Sequence, residues 1–340
     1  MHNFYSDTQT KPTKEMLATV LDAEVGDEQR FEDPTTVRLE RRVADLLGKE
    51  AAVFLPSGSM CNQISIKVHT DPSDEVICDR SSHIVGFESG GPAVLSGAMV
   101  YPLDGDRGRF CGEQVTQAIR PLTRSAPRSR LVSIEQTSNL GGGSIWPVEL
   151  IDEVAGVAHG AGLATHMDGA RLLNAVIATG VPAARFARDM DSVWIDLTKG
   201  LGTAVGAVLA GSEEFIERAW RWKQQWGGAM RQSGILAAMG LYALDHHVDR
   251  LADDHARAAR IGNALSSMSM VAEVLPVETN IVAFRVKQAG PSGPELMASA
   301  AEAGVSMSGR GRRSCRIVTH LDVDDHDVDA LLEVLASFLD

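Results

Sequence analysis

A lysine beside a glycine-rich turn is the residue of this sequence best suited to covalent chemistry. Lys199 follows the apolar run Ser192–Ile195 and precedes Gly200, which predicts that it lies where a strand ends. The end of a strand inside an α/β sheet is desolvated, and desolvation lowers the pKa of an amine. A neutral amine is a nucleophile, so Lys199 is a candidate for imine formation with an aldehyde. A surface lysine at the start of a loop is the alternative.

A carboxylate stands at the end of the preceding predicted strand. The run Leu163–Met167 leads into Asp168, about one β-α-β unit before Lys199, so neighbouring parallel strands would bring both residues to one edge of a sheet. A cofactor with an aldehyde and a basic ring nitrogen needs this pair, because the amine holds the aldehyde and the carboxylate keeps the nitrogen protonated. The alternative is a helix-capping Asp168 that pairs with Arg171 at the surface.

Other candidates for a cofactor site are weaker. The turn containing Gly58 and Ser59 follows an apolar strand and begins a helix, whose N–H groups could bind a phosphate, although a plain tight turn explains it equally well. His83 could stack on a flat ring or move a proton, but a structural role is more common. His166 is predicted to be structural: it points away from the ligand if Asp168 points towards it, or it packs beside the strand end.

The composition is that of an ordinary globular protein and excludes several classes of function. The 340 residues are 44% hydrophobic and carry a net charge of −13, which disfavours nucleic acid and anionic membranes as partners. We see no membrane-spanning stretch and no signal peptide. The four cysteines form no C-x-x-C pair, so we expect neither a metal site nor disulfides, and we expect a cytoplasmic protein.

Strand and helix signals alternate through the first two thirds of the chain, which predicts an α/β fold with a mostly parallel sheet flanked by helices. A smaller C-terminal α+β domain is predicted to follow, with boundaries at 1–245 and 246–340 and a single helical stretch bridging to it. The predicted strands are 51–55, 75–78, 98–101, 131–134, 163–167, 192–195, 207–210 (returning beside the Lys199 strand), 280–286 and 314–319. The predicted helices are 34–47, 60–69, 112–120, 149–161, one after Ser212, 231–268, 292–303 and 324–339.

The motifs, in their order, resemble those of the low-specificity L-threonine aldolases, which are fold type I enzymes of the pyridoxal-phosphate aspartate-aminotransferase superfamily. The resemblance extends over nearly the whole chain. It implies that a β-hydroxy-α-amino acid such as L-threonine or L-allo-threonine is cleaved to glycine and an aldehyde. The matching segments are Ser6–Pro12, Val25–Asp27, Glu32–Thr35, Gly48–Ala52, Leu55–Ser59, His83, Glu88 with Gly90 and Gly91, His166–Arg171, Thr198–Gly202, Gly227–Gln232 and Arg316–Asp322.

The resemblance also implies a cofactor site for pyridoxal 5'-phosphate. Lys199 would hold the aldehyde of the cofactor, and Asp168 would pair with its ring nitrogen. His83 would stack on the ring, while Gly58 and Ser59 would receive the phosphate.

By the same resemblance, three residues would anchor the α-carboxylate of the substrate: Ser6, Arg171 and Arg316. Arg171 would border the cofactor as well. Arg231 resembles an arginine that reaches the cofactor of a neighbouring subunit, which implies a homo-oligomer, commonly a tetramer.

Two positions depart from the family pattern on the substrate side. Ser138 stands where the family has a histidine near the β-hydroxyl, so His83 or a water must take the proton, or the reaction differs. Arg30 stands in place of a tyrosine and could bind an acidic side chain, as in 3-hydroxyaspartate; alternatively it turns outward and pairs with Glu32 or Asp27. We expect Ser138→His or Arg30→Tyr to shift the preference towards threonine.

Two other functions stay open on the sequence alone. Ser138 leaves room for another pyridoxal-phosphate reaction, such as β-elimination of water from a 3-hydroxy amino acid, transamination or racemisation. A binding or regulatory protein that retains the cofactor is the other alternative, and it would tolerate the loss of Lys199.

Overall fold

The computed structural model describes residues 1–340, with strands and helices alternating over most of the chain. The strands are β1 (His2–Asn3), β2 (Ala51–Leu55), β3 (Glu75–Asp79), β4 (Met99–Leu103), β5 (Ser129–Glu135), β6 (Ala164–Gly169), β7 (Ser192–Asp196), β8 (Ala207–Gly211), β9 (Val271–Val274), β10 (Ile281–Val286), β11 (Val305–Ser306), β12 (Ser308–Arg310) and β13 (Ser314–Val318). The helices are α1 (Lys14–Ala18), α2 (Pro34–Leu47), α3 (Gly58–His69), α4 (His83–Gly86), α5 (Gly112–Ala118), α6 (Val148–Gly160), α7 (Leu172–Thr179), α8 (Ala183–Ala187), α9 (Glu213–Gln225), α10 (Gly234–His246), α11 (Leu251–Ser267), α12 (Gly293–Glu302) and α13 (Asp325–Leu339).

A seven-stranded sheet with the order β2-β8-β7-β6-β5-β3-β4 is the centre of the fold. Its strands pair in parallel except around β8, which is antiparallel to both β2 and β7. The predicted mostly parallel sheet is confirmed, and so is the return of β8 beside the strand that leads to Lys199. In register, Asp168 of β6 lies between Glu135 of β5 and Trp194 of β7, which brings three site strands together at one edge.

Helices cover both faces of this sheet because its strands are apolar on both sides. In β7, Val193 and Ile195 belong to the largest apolar cluster on one face, while Trp194 belongs to the cluster under α3 and α9 on the other. The alternation follows from the pleat of a strand, which points successive side chains to opposite faces.

A second unit is built on the four-stranded antiparallel sheet β12-β13-β10-β9, with α11, α12 and α13 packed against it. The N-terminal strand β1 pairs in parallel with β11, and the buried Phe4 lies in the apolar core of this unit. The first residues of the chain are therefore fixed to the C-terminal unit, and a domain boundary at 245/246 stays a prediction.

The single helix predicted over 231–268 is wrong. The chain forms α10 and α11, separated by a turn at 247–250. In this turn the buried His247 donates from Nδ1 to the carbonyl of Leu201, at 2.7 Å, and no glycine or proline marks the break in the sequence. A tertiary hydrogen bond thus overrides a helical pattern that is locally continuous. None of the thirteen helices is both long and apolar enough to cross a lipid bilayer.

Candidate active site

A cavity of about 250 Å³ opens at the carboxyl ends of β5, β6 and β7, and its wall is completed by the N-terminal segment and by β13. It brings together eight of the predicted site residues: Ser6, Gly58, Ser59, His83, Asp168, Arg171, Lys199 and Arg316. A larger cleft, of about 760 Å³, lies at the opposite edge of the sheet and contains none of them. The chemistry-bearing side chains therefore select the smaller cavity as the active site.

Lys199 is held at the end of β7 by a carboxylate and an indole ring. Its Nζ donates to Oδ2 of Asp196 at 2.7 Å, and it lies 5.5 Å from the ring centroid of Trp194. Asp196 is itself fixed because its Oδ1 accepts the backbone N–H of Thr198, at 2.8 Å. The ion pair fixes the position of the amine in the cavity, where it can react with an aldehyde once it has lost its proton.

Asp168 is buried at the end of β6, where its carboxylate accepts two hydrogen bonds. Oδ2 accepts from Nδ2 of Asn62 at 2.8 Å, and Oδ1 accepts from the N–H of Ala170 at 3.1 Å. Burial raises the pKa of Asp168, while the charge of Lys199 and the hydrogen bond from Asn62 oppose that rise. A protonated ring nitrogen beside Asp168 would add a further opposing charge, so the site fits a cationic heterocycle.

The start of α3 fits a phosphate. Ser57 caps the helix by accepting the N–H of Met60 at 3.3 Å, and neither Gly58 nor Ser59 donates its N–H to another protein atom. A Cβ on Gly58 would lie 2.2 Å from the ring of Trp194, so only glycine lets the helix begin this close to β7. Two unpaired N–H groups at the positive end of a twelve-residue helix are suited to bind an anion.

His83 lies on α4. One of its ring nitrogens is hydrogen-bonded, and the other has no partner in the protein. Nδ1 lies 2.8 Å from Oε1 of the buried Glu88, and the ring stacks on Phe87. Burial alone would lower the pKa of His83, but the hydrogen bond to Glu88 and the charge of Asp168 outweigh it and raise the pKa. The imidazole is thus oriented by Glu88 and can exchange a proton through Nε2.

Glu135 is a functional candidate that the sequence did not single out. It ends β5, lines the cavity, and accepts the backbone N–H groups of His83 and Asn139, each at 2.7 Å. Burial and the nearby charge of Asp168 raise the pKa of Glu135 to about 7, despite those two hydrogen bonds. A carboxyl group that titrates near neutral pH inside a cavity can hold or release a proton there.

Two arginines give one wall of the cavity its positive charge. Arg171 is buried and bound in a bidentate pair to Asp7, with Nε–Oδ2 at 2.7 Å and Nη2–Oδ1 at 2.6 Å. Arg316 donates from Nη2 to Asn139 at 2.9 Å, while its buried Nε has no partner. Burial and the charge of Arg171 lower the pKa of Arg316 to about 10, so the side chain is charged at neutral pH. Two guanidinium groups in one wall of the cavity are suited to bind a carboxylate.

Three predicted residues do not line the cavity. Ser138 is buried in a tight turn, where its hydroxyl accepts the N–H of Gly141 at 3.2 Å, and this corrects the expectation that it faces the substrate. Arg30 is exposed and pairs with Glu32 at 3.0 Å, which is the outward alternative. Arg231 is exposed and pairs with Asp27 at 2.9 Å, on the same surface as Arg30.

Ser138 has no space to become a histidine without a shift of the turn. A Cβ placed on Gly108 would already lie 2.0 Å from the Ser138 hydroxyl, so Gly108 packs directly over it. Neither Ser138→His nor Arg30→Tyr is therefore expected to change the substrate preference through contacts inside this cavity.

His166 is structural, but one reason given for this was wrong. Residues two apart in a strand share a face, so His166 and Asp168 point to the same side of β6. Both contact Asn62, with His166 Nε2 at 3.1 Å from Asn62 Oδ1. His166 is completely buried below Asp168, which confirms the alternative that it packs beside the strand end.

The cavity residues that were not predicted from the sequence differ in the sequence features that could have indicated them. Asn62 follows Gly58 by one helical turn, and this spacing alone places it on the same side of α3. Asn139 and Glu135 line the cavity and lie in the segment that departs from the family at Ser138. Asp7 lies in the matching segment Ser6–Pro12, but nothing local indicates its pairing with Arg171, which is far away in the chain.

Comparison with known proteins identifies the family of this chain. A model of the beta-eliminating lyase family matches residues 3–289. The low specificity L-threonine aldolase of Escherichia coli is 39% identical over 329 residues, which is 95% of this chain and 95% of that one. Low-specificity L-threonine aldolase 1 of Arabidopsis thaliana is 38% identical over 329 residues, which is 95% of this chain and 92% of that one. Among solved structures, a threonine aldolase of Leishmania major shares the fold, with a TM-score of 0.86, 19% identity and 99% coverage of both chains.

Proposed function

The chain belongs to the beta-eliminating lyase family and, within it, to the low-specificity L-threonine aldolases, and from this premise we propose that it cleaves L-threonine, L-allo-threonine or a related β-hydroxy-α-amino acid to glycine and an aldehyde. It is a lyase that uses pyridoxal 5'-phosphate. The observation that carries the proposal is the meeting of Lys199, Asp168 and Arg316 in one cavity. These groups supply an amine, a ring-nitrogen partner and a carboxylate anchor.

The residues present fit the cofactor at each of its functional groups. Lys199 would hold its aldehyde, Asp168 its ring nitrogen, and the N–H groups of Gly58 and Ser59 its phosphate. His83 would cover one face of the ring. When bound there, the cofactor withdraws electrons from the Cα of an attached amino acid, so that a bond to Cα can break.

Arg171 and Arg316 orient the substrate by its α-carboxylate. Asp7 takes the Nε N–H and one Nη2 N–H of Arg171, which leaves both Nη1 N–H groups and the second Nη2 N–H for this purpose. Arg316 lines the cavity with its guanidinium, and Ser6 lies in the same wall. A guanidinium binds a carboxylate in a fixed geometry, which sets the bond from Cα that faces the electron-withdrawing ring.

His83 is the base that we propose for the β-hydroxyl proton. Its Nδ1 is tied to Glu88, so Nε2 is the nitrogen that accepts the proton as the Cα–Cβ bond breaks. Because the pKa of His83 is raised, the neutral form that can act as a base needs a higher pH than a free histidine does. Glu135, whose pKa is about 7, can hold a proton at the neighbouring wall of the cavity.

We prefer the retro-aldol reaction over β-elimination, and a substrate without an acidic side chain over 3-hydroxyaspartate. The two residues that kept those alternatives open, Ser138 and Arg30, both lie outside the cavity.

We also propose a homo-oligomer, for which the tetramer common in the family is the expectation. Arg231 supports it as an exposed cation of the kind that would reach a neighbouring subunit. The cytoplasm is the proposed compartment because all four cysteines are free thiols.

One experiment tests the reaction and two of its residues. Threonine, allo-threonine, phenylserine and 3-hydroxyaspartate are incubated with the holoenzyme, and glycine, aldehyde, ammonia and 2-oxo acid are measured. We expect glycine and aldehyde in equal amounts, and we expect Lys199→Ala to lose at least about a thousandfold in kcat. His83→Phe keeps a flat ring without a proton acceptor and should lose about a hundredfold or more in kcat.

Ammonia with a 2-oxo acid as the main products would replace the aldol proposal with β-elimination. Lys199→Ala with near-normal turnover would contradict a catalytic role for the cavity. Equal activity of His83→Phe and the unchanged enzyme would assign the proton to another group, with Glu135 the next candidate.

A further inference from the structure

A row of buried polar side chains crosses the sheet beneath α3, from the larger cleft at the amino ends of the strands to Asp168. His69 lines that cleft, and its Nε2 lies 2.9 Å from the hydroxyl of Ser192. The hydroxyl lies 2.8 Å from Nδ1 of His166, whose Nε2 is 3.1 Å from Oδ1 of Asn62. Nδ2 of Asn62 completes the row, at 2.8 Å from Asp168 Oδ2.

Every hydrogen bond in this row is donated in the same direction, towards Asp168. Nδ2 of Asn62 donates to the carboxylates of Asp168 and Glu88, the latter at 2.7 Å, so Oδ1 of Asn62 is an acceptor. The indole N–H of Trp194, which can only donate, confirms this orientation at 2.7 Å from the same oxygen. With the amide turned over, two carboxylates would face its carbonyl and the indole N–H would face its NH₂ group. His166 must therefore donate from Nε2 to Asn62.

The remaining proton positions follow from this one. With its proton on Nε2, a neutral His166 offers Nδ1 as an acceptor, so the hydroxyl of Ser192 donates to it. The oxygen of Ser192 is then free to accept the Nε2–H of His69. Burial lowers the pKa of His69 to about 4 and that of His166 to about 3, and neutral rings are what the row requires at pH 7.

We propose that this row is a one-way hydrogen-bond chain that positions the carboxylate of Asp168 and favours its charged form. Hydrogen bonds aligned in one direction polarise one another, and the last donor of the chain ends on an ionisable acceptor. His69, Ser192 and His166 act through Asn62, so they are positioning residues for Asp168. The role of Asp168 rests on the proposed function, whereas the direction of the hydrogen bonds in this row does not.

The first test is the affinity of the apoprotein for pyridoxal 5'-phosphate, titrated by tryptophan fluorescence. Ser192→Ala leaves His166 Nδ1 without its donor, so the ring is free to move its proton and Asn62 Oδ1 loses one of its two donors, the other being Trp194. We expect about tenfold weaker binding. Ser96→Ala is the matched control, since Ser96 is also buried and its hydroxyl has no partner; its affinity should stay within about twofold.

His69, at the end of the hydrogen-bond row that is farthest from Asp168, allows a rescue test. His69→Leu removes the donor and should weaken cofactor binding, whereas His69→Gln restores an N–H near the position of Nε2 and should recover most of the affinity. Equal cofactor affinities for Ser192→Ala and Ser96→Ala, or for His69→Leu and the unchanged protein, would overturn the proposal.

The second test reads the proton positions directly and needs no activity. Two-bond ¹H–¹⁵N correlation spectra of ¹⁵N-histidine-labelled apoprotein at pH 7 should show His166 neutral and protonated on Nε2, and Ser192→Ala should change this pattern. A charged His166, or a proton on Nδ1, would contradict the one-way chain even if the enzyme makes glycine. An enzyme that makes no glycine but shows this pattern would instead contradict the function proposed for the cavity.

Discussion

At the scale of single residues, Asp7 makes the two arginines of the cavity different, because it pairs with Arg171 and not with Arg316. It neutralises Arg171 through a buried bidentate pair and is itself held by Nδ2 of Asn280, at 3.1 Å. Arg316 is left as the cation with an unpaired donor. Local motifs predicted both arginines as site residues, but they could not predict Asp7 as the partner of Arg171, because that pairing depends on folding two distant segments together.

Loss of the Asp7 carboxylate should be strongly destabilising. Asp7→Asn leaves the buried Arg171 uncompensated, and we expect the free energy of unfolding to fall by about 3–5 kcal/mol at pH 7. Asp152→Asn is the matched control: Asp152 also binds an arginine through both oxygens, at 2.8 and 2.6 Å, but it is partly exposed, so about 1 kcal/mol or less should be lost. Urea unfolding at one fixed protein concentration measures both.

The difference between Asp7→Asn and the unchanged protein should also depend on pH. The charge and hydrogen bonds of Arg171 outweigh burial and hold the pKa of Asp7 well below its usual range. The stabilisation is therefore fully present above the unfolded-state value near 3.8 and is lost as the pH falls below it. An Asp7→Asn loss no larger than that of Asp152→Asn would contradict this account.

At the scale of elements, the connection between α2 and β2 shows what periodicity can and cannot predict. Asp33 and Pro34 predicted the start of α2, and the left-handed Gly48 at φ 63° confirms its predicted end. The sequence did not predict that Glu40 turns inward from α2, where Oε1 accepts the backbone N–H of Phe54 at 2.9 Å. That contact depends on how the helix lies across the strand, which helical periodicity does not specify.

Glu40 should make this connection less stable as the pH rises. Burial raises its pKa to about 7, with smaller opposing effects from the Phe54 N–H and Lys223, and with Glu28 and Asp33 adding to the rise. In the unfolded chain the group ionises near 4.5, so stability falls between pH 4.5 and 7. We expect Glu40→Gln to raise the free energy of unfolding by about 1–3 kcal/mol at pH 8, with little effect at pH 4.

Glu50→Gln is the control for Glu40→Gln. Glu50 also accepts a backbone N–H, that of Glu213 at 3.0 Å, but it is exposed, so its replacement should leave urea unfolding almost unchanged at both pH values. A Glu40→Gln protein that is less stable than the unchanged protein at pH 8 would show that the carboxylate is needed in its charged form.

At the scale of the whole molecule, the sequence predicted the α/β sheet and the C-terminal unit, because alternating short apolar runs determine both. It missed the attachment of β1 to β11, since a two-residue strand has no periodicity to read. It also could not show which residues serve a neighbouring chain. Arg30 and Arg231 lie on one exposed surface beside Asp27 and Glu32, away from the cavity of their own chain.

If Arg231 completes the site of a neighbouring subunit, two inactive variants should restore activity when they are mixed. Lys199→Ala and Arg231→Ala oligomers, dissociated and reassembled together in equal amounts, should recover about a quarter of the unchanged activity in a randomly paired dimer. Lys199→Ala mixed with Asp168→Ala is the control and should recover none, because both residues line the same chain's cavity. Full activity of Arg231→Ala alone would remove the proposed sharing.

The pairing of His2 and Asn3 with Val305 and Ser306 also sets the order in which the protein can be completed during synthesis. Ser6 and Asp7 are synthesised long before β11, the strand that fixes the segment to which they belong. A nascent chain can form most of its main sheet while the carboxylate-binding wall is still missing. Ribosome-bound fragments that stop before residue 305 should therefore be compact but without catalytic activity.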